Sequence, residues 1–186
     1  MENMETNYEL KFTKIFFEMC KEKNYIKIKE FLELQSQAER KLYINWLNNY
    51  ALRQSQSDLE MVMYLVENGA DIHVNDDSVL SHACFYGDID AVKYLISKGA
   101  NVHAWNNKPL RWACQEGHLE VVKYLTTVGA DIHNENNWAI RFSSIGSIDV
   151  VEYLISIGAK YTLDCIELAK HHNKKEIVSR LENLCM

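Results

Sequence analysis

Cysteine and histidine are the residues of this 186-residue chain that could hold a metal or attack a carbonyl; there are five and seven of them. Cys20, Cys84, Cys114, Cys165 and Cys185 are odd in number and form no CxxC pair. Neither a disulfide framework nor a zinc ribbon follows from that spacing, and the thiols read as small buried side chains in a reducing compartment. His73, His103 and His133 recur at a step of 30 residues, the most metal-like arrangement in the chain. Packed helices lie about 8–10 Å apart, whereas zinc holds imidazole nitrogens at about 2.0–2.1 Å, so a ladder with one histidine per repeat reads as structural. His171-His172 lacks ligand spacing and reads as a solvated pair. No GxGxxG, GxxxxGK[ST], GxSxG or HExxH occurs, so phosphate cradle, nucleophile elbow and zinc-peptidase helix are all missing. The expectation is a chain that is not an enzyme and uses no metal or cofactor.

The elements that carry these residues are set by a repeat. GDIDAVKYLISKGANVH (87–103), GHLEVVKYLTTVGADIH (117–133) and GSIDVVEYLISIGAKYT (146–162) nearly superimpose, and SDLEMVMYLVENGADIH (57–73) precedes them. The glycines Gly69, Gly99, Gly129 and Gly158 are spaced by 30, 30 and 29 residues. Within a unit Leu119, Val122, Leu125 and Val128 recur at helical spacing, with Val121 four before Leu125 and with Glu120 and Lys123 on another face. Gly129 supplies the left-handed stop. Upstream, Leu110, Ala113 and Cys114 mark a second, shorter helix ending at Gly117. Each unit is expected to be two antiparallel helices and a short extended loop, with the apolar stripes buried between neighbouring units.

PLRWACQEGHLEVVKYLTTVGADIH (109–133) resembles the ankyrin-repeat consensus nearly end to end. The resemblance implies an all-α, ankyrin-type helical repeat solenoid of about six helix-turn-helix units with shortened β-hairpin loops, since Gly99 to Pro109 spans 10 residues and falls short of the family's spacing. Aligning MCKEKNYIKIKEFL (19–32) with ACQEGHLEVVKYLT (113–126) sets Cys20 on Cys114, Ile28 on Val122 and Phe31 on Leu125. The domain expectation is a tail over 1–9, a degenerate capping repeat over 10–42, four central repeats over 43–160 and a polar capping repeat over 161–186. In that last unit Ala169 and Leu181 take core places, and Asn173 stands where the turn glycine belongs. The short period, the "GADIH" box and the paired Asn or Asp of the loops resemble the ankyrin proteins of giant DNA viruses. That resemblance implies a host-directed adaptor, such as the recruiting half of a ubiquitin ligase, with no F-box-like tail evident in the sequence.

A formal charge of −6 argues against nucleic acid as partner. Charged residues interrupt every apolar run, and the acidic start MENMETNYELKFTKIFF lacks a basic leader, so neither a membrane span nor a secretory signal is expected. The expected setting is the cytoplasm and the expected state a monomer.

The informative position is the residue before the core alanine of each first helix: Tyr50, His82, Trp112 and Phe142. A turn of about 100° per residue points Trp112 away from Cys114 and toward the concave surface that the resemblance implies. Arg111, Arg141, Trp105 and Trp138 lie beside it in sequence. Aromatic and arginine side chains anchor protein interfaces. These eight residues are therefore the candidate partner-binding set, with ring-on-ring packing as the alternative reading. The competing function is a structural or self-associating element without a partner groove.

Overall fold

The computed structural model describes residues 25–40 and 59–184, with Lys14, Glu18, Met19, Glu22 and Ile44 besides. The side chains of Tyr25, Val74, Asn75 and residues 134–136 are excepted. The chain divides into two compact units, Met1–Asn75 and Asp76–Met186. Among the described residues every regular element is a helix.

In the first unit, helix α1 (Tyr25–Glu33) buries Ile28 and Leu32. Its C-terminus is closed by Arg40, whose Nε donates to Leu32 O at 2.9 Å and whose Nη2 donates to Glu33 O at 3.3 Å. A cation on the last carbonyls also suits the negative end of the helix dipole. Ser36 and Glu39 form a capping box for the next turn, each side chain accepting from the other's backbone N–H. The serine's hydrogen bonds hold the Glu39 carboxyl below its ordinary pKa. Leu32 is fully buried while Phe31 is half-buried, so the core place expected for Phe31 belongs to its neighbour. The step from Ile28 is four residues, against three from Val122 to Leu125, and this degenerate turn presents a different face. Helix α2 (Leu59–Glu67) buries Met61, Val62 and Leu65.

The second unit runs α3 (Val74–Tyr86), α4 (Ile89–Ser97), α5 (Ala104–Glu116), α6 (Leu119–Thr127), α7 (Asn134–Ser143), α8 (Ile148–Ser156), α9 (Leu163–His171) and α10 (Lys175–Leu184). The first helices of successive pairs pack as α5–α7–α9, and the second helices as α4–α6–α8–α10. Their shared core repeats: Val121, Val122 and Leu125 are at most 1% exposed, as are Ala91, Val92 and Leu95 before them and Val150, Val151 and Leu154 after them. Facing these stand Leu110, Ala113 and Cys114 of α5 and Leu80, Ala83 and Cys84 of α3. In α7 the small positions are Ser143 and Ser144, fully buried, and both hydroxyls donate to Ile140 O at 2.8 and 2.9 Å. That internal bond is what lets serine replace alanine and cysteine in a dry core.

The helix ends follow from the same few residues each time. Gly99, Gly129 and Gly158 all adopt φ near +98 or +99°, and the alanine after each donates back to Leu95, Leu125 or Leu154 O at 2.9–3.0 Å. This is the Schellman closure, and it tucks Ala100, Ala130 and Ala159 into the core. At the other end Asp88 caps α4 through Ala91 N–H, and Ser147 caps α8 through Asp149 N–H. His118 occupies the same place before α6 but makes no cap. Its Nε2 instead donates to Phe85 O of the preceding pair at 2.8 Å. The ring lies on Gly87, where a methyl group would come within 2.5 Å of His118 Nδ1. Gly146 likewise seats directly on Cys114 O. At the C-terminal end Asn173 takes the left-handed turn at φ +57°, and Lys174 Nζ donates to Gly146 O at 2.8 Å.

Replacing Leu125 by Ala opens a cavity in the shared core and should cost about 2–5 kcal/mol in a urea titration. Replacing Lys123, whose ion pair with Glu120 is exposed to water, should cost about 0.5 kcal/mol or less. Equal losses would mean that the helical faces are misassigned. For the His118 clasp, Gly87→Ala meets both the ring and a φ of +75°. In a His118→Ala background only the left-handed penalty of about 1–2 kcal/mol should remain. Additivity of the two changes within about 0.5 kcal/mol would show that the ring does not occupy that space.

Candidate partner-binding face

Between the second helix of one pair and the first helix of the next, the chain makes a compact turn. Asn101 and Asp131 accept through Oδ1 from the backbone N–H of His103 and His133 at 2.9 and 2.8 Å, as Asx turns do. Then, at the head of α5, Trp105, Asn106 and Asn107 all lie in the left-handed region, with φ of 48, 57 and 59°. Asp76, Asp77 and Asn137 repeat this in the neighbouring turns. The short extended loop expected from the sequence is thus a left-handed turn. Paired Asn or Asp residues explain it, because their side chains tolerate that conformation best after glycine.

The histidine ladder serves the turn. His103 Nδ1 donates to Asn107 Oδ1 at 2.8 Å, and His133 Nδ1 to Asn137 Oδ1 at 3.4 Å; an amide oxygen only accepts, which places the proton on Nδ1. Both bonds close within a single turn. Adjacent turns are joined elsewhere, by Trp105 N–H donating to Asp76 Oδ2 at 2.8 Å.

Holding Trp105 in a backbone region costly for a bulky residue leaves its side chain 55% exposed. From there a row of rings and cations crosses the first helices. Lys108 Nζ lies 5.1 Å from the Trp105 ring centre and 4.4 Å from that of Trp112. The Arg111 guanidinium lies 4.6 Å from Trp138 and 5.5 Å from Phe142, joining α5 to α7. Trp112 meets the edges of His82 and Phe85 at 5.3 and 5.1 Å, and Trp138 meets Phe142 at 5.4 Å. His82 Nδ1 donates to Ser78 O at 2.7 Å. Against the row lies an open cleft of about 660 Å³, lined among others by Asp76, His103, Trp105, Lys108, Arg111 and Trp138.

Seven of the eight expected residues therefore fall on α3, α5 and α7; Tyr50 lies outside the described residues. Trp105, Arg111 and Trp138 meet at the cleft, and His82, Trp112 and Phe142 join through ring contacts. Arg141 stands one turn beyond Trp138, with its Nε closed off from solvent and no acceptor among the described residues. His82, Trp112 and Phe142 are half-buried, so they do not project freely as a simple helical wheel suggests. Each leans on a neighbour instead. Sequence reasoning passed over Lys108 and Phe85, which complete the row; the position of Lys108, 30 before Trp138, was the available signal.

A family model for ankyrin repeats, in three copies, matches residues 48–136. These are ankyrin repeats. No curated protein matches the chain.

Ankyrin repeats commonly open their first helix with a TPLH box, which ties the helix start to its neighbour. Here Pro109-Leu110 is what remains of it. No group of three histidine, cysteine or carboxylate residues among the described ones is arranged to hold a metal ion. Cys84, Cys114 and Cys165 are buried free thiols. Burial pushes the Cys84 and Cys114 thiols well up, and the neighbouring Cys114 raises Cys84 further. A thiol held neutral and dry is no nucleophile. Native protein treated with iodoacetamide at pH 7 should carry label at Cys84 and Cys114 at least about tenfold more slowly than unfolded protein does, by peptide mass spectrometry. Comparable rates would place these cysteines at the surface.

Proposed function

We propose that the chain is a non-enzymatic interaction module that binds a partner protein through the ring-and-cation row of α3, α5 and α7. The observation that carries this reading is the row of Trp105, Lys108, Trp112, Arg111, Trp138 and Phe142, of which Trp105, Lys108, Arg111 and Trp138 line an open cleft. Aromatic and arginine side chains concentrate binding energy because they bury large, rigid surfaces together with a directional charge. Ankyrin repeats generally serve as protein-binding modules, which supports the assignment. Within this reading the chain acts as a cytoplasmic, monomeric adaptor, of the kind its short repeats resemble.

The double packing role of the rings decides which variants test it. Trp112→Ala with Phe142→Ala should lower stability by roughly 1–3 kcal/mol per site, because half-buried rings are removed. Trp105→Ala should leave the unfolding midpoint nearly unchanged, since that ring is mostly in water. The expected result is that Trp105→Ala weakens capture of a partner at least about tenfold, the loss of one anchor, while the fold persists. Undiminished capture by this variant would move the site off the row. Sedimentation of the unbound chain as a dimer at micromolar concentration would favour self-association instead.

A further inference from the structure

We infer that Asn68–Gly69 is a self-modification site, where the asparagine converts to aspartate or isoaspartate through a succinimide, and that Arg40 sets the rate by holding the amide. The site belongs to the first unit and is independent of the proposed binding face.

The closures that end the second helices share one geometry but not one chemistry. Before the left-handed glycine stands Asn68 after α2, against Lys98, Val128 and Ile157 after α4, α6 and α8. Asn68 opens the one Asn-Gly pair of the chain. Glycine has no Cβ to shield its backbone nitrogen, and nothing lies within 4 Å of where a Cβ would stand at Gly69. Water and base therefore reach this bond. The Gly69 nitrogen, on losing its proton to base, attacks Asn68 Cγ; the new C–N bond closes a five-membered ring, the bond to Nδ2 breaks, and Nδ2 leaves as ammonia. Water then opens the ring at either carbonyl carbon and the nitrogen regains a proton. One water is consumed and one ammonia released. In the folded chain both reacting groups are held. Gly69 N–H donates to Val66 O at 3.0 Å. Asn68 Nδ2 donates to Tyr64 O at 2.8 Å, which folds the amide back onto the last turn of α2. Arg40 Nη1 donates to Asn68 Oδ1 at 3.3 Å, while its Nε is engaged with Leu32 O at the end of α1. Attack requires these bonds to Asn68 and Gly69 to open together, so its rate follows a local opening of the helix end. The two products act differently on the fold. Aspartate keeps an acceptor for Arg40, now charged, but gives up the donor to Tyr64 O. Isoaspartate adds a methylene to the backbone just before Gly69, and so displaces Ala70, a buried residue whose N–H closes on Leu65 O at 2.9 Å. Both bring negative charge to the negative end of α2, where it is unfavourable. Modification therefore loosens the first unit.

The full chain is kept in mildly alkaline buffer, with and without denaturant, and conversion at each asparagine is followed by peptide mass spectrometry with a separate assay for isoaspartate. In denaturant Asn68 should convert ahead of Asn106 and Asn107. In the native chain it should convert at least about tenfold more slowly than in denaturant, because the helix end must first open. Arg40→Ala should raise the native rate at Asn68 at least about threefold and leave the denatured rate unchanged. Equal rates with and without denaturant would overturn the protection. No product in the native chain after about a hundred denatured half-lives would overturn the site itself. A rise in Arg40→Ala confined to Asn68 supports the role of Arg40. A rise shared by Asn106 and Asn107 would put the protection in the fold as a whole, and it would overturn that role, as would an unchanged native rate.

Discussion

A nine-residue helix does not hold itself together in water, where isolated helices shorter than about 12–15 residues are marginal. The helices α4, α6 and α8 are each nine residues long. They persist because Val122 and Val151, with their flanking apolar neighbours, are removed from water by the pairs on either side, and Val92 by the pair that follows it. Everything else in the second unit serves that mutual burial. The glycine that ends each second helix also delivers an alanine to the core. Where two pairs must approach most closely, Gly87 and Gly146 leave the space that a side chain would fill. The stack is thus a chain of nearest-neighbour contacts, and each pair needs its neighbours to exist.

The proposed binding face is a by-product of the same packing. First helices that give their small residues to the core, such as Ala113 and Cys114, must place large ones on the adjoining side. Trp112 and Phe142 sit there half-buried, steadied by His82, Phe85 and Trp138. Packing and the proposed recognition therefore fall to the same side chains. A ring fixed by its neighbours loses little freedom when a partner covers it, which favours binding. Trp105 differs, because an unusual backbone conformation and one hydrogen bond to Asp76 hold it out in water.

Electrostatics sharpen that division. The second helices carry ion pairs such as Lys123 with Glu120 and Arg180 with Glu152, at 2.9 and 3.0 Å and in contact with solvent. Such pairs contribute little to stability. The first-helix cations Lys108 and Arg111 lie over rings instead.

The sequence by itself determined the period, the helix stops and the core. A step of 30 residues, glycine before alanine, and apolar residues three and four apart are local rules, and Leu125, Cys114 and Gly129 stand where those rules put them. Asn106-Asn107 was legible too, as a loop pair, though its left-handed consequence was carried only by the known tolerance of asparagine for that conformation. What the sequence left open depended on residues meeting from different pairs. His118 reads as an ordinary helix-start residue until Phe85 O is found 2.8 Å away. Trp112 reads as an exposed ring until His82 and Phe85 close on it. In the degenerate first repeat even the burial of Leu32 over Phe31 followed the packing rather than the alignment. Periodicity fixes the direction of a side chain from its own helix, but what fills the space in front of it is set by the neighbouring repeat, and that only the tertiary structure decides.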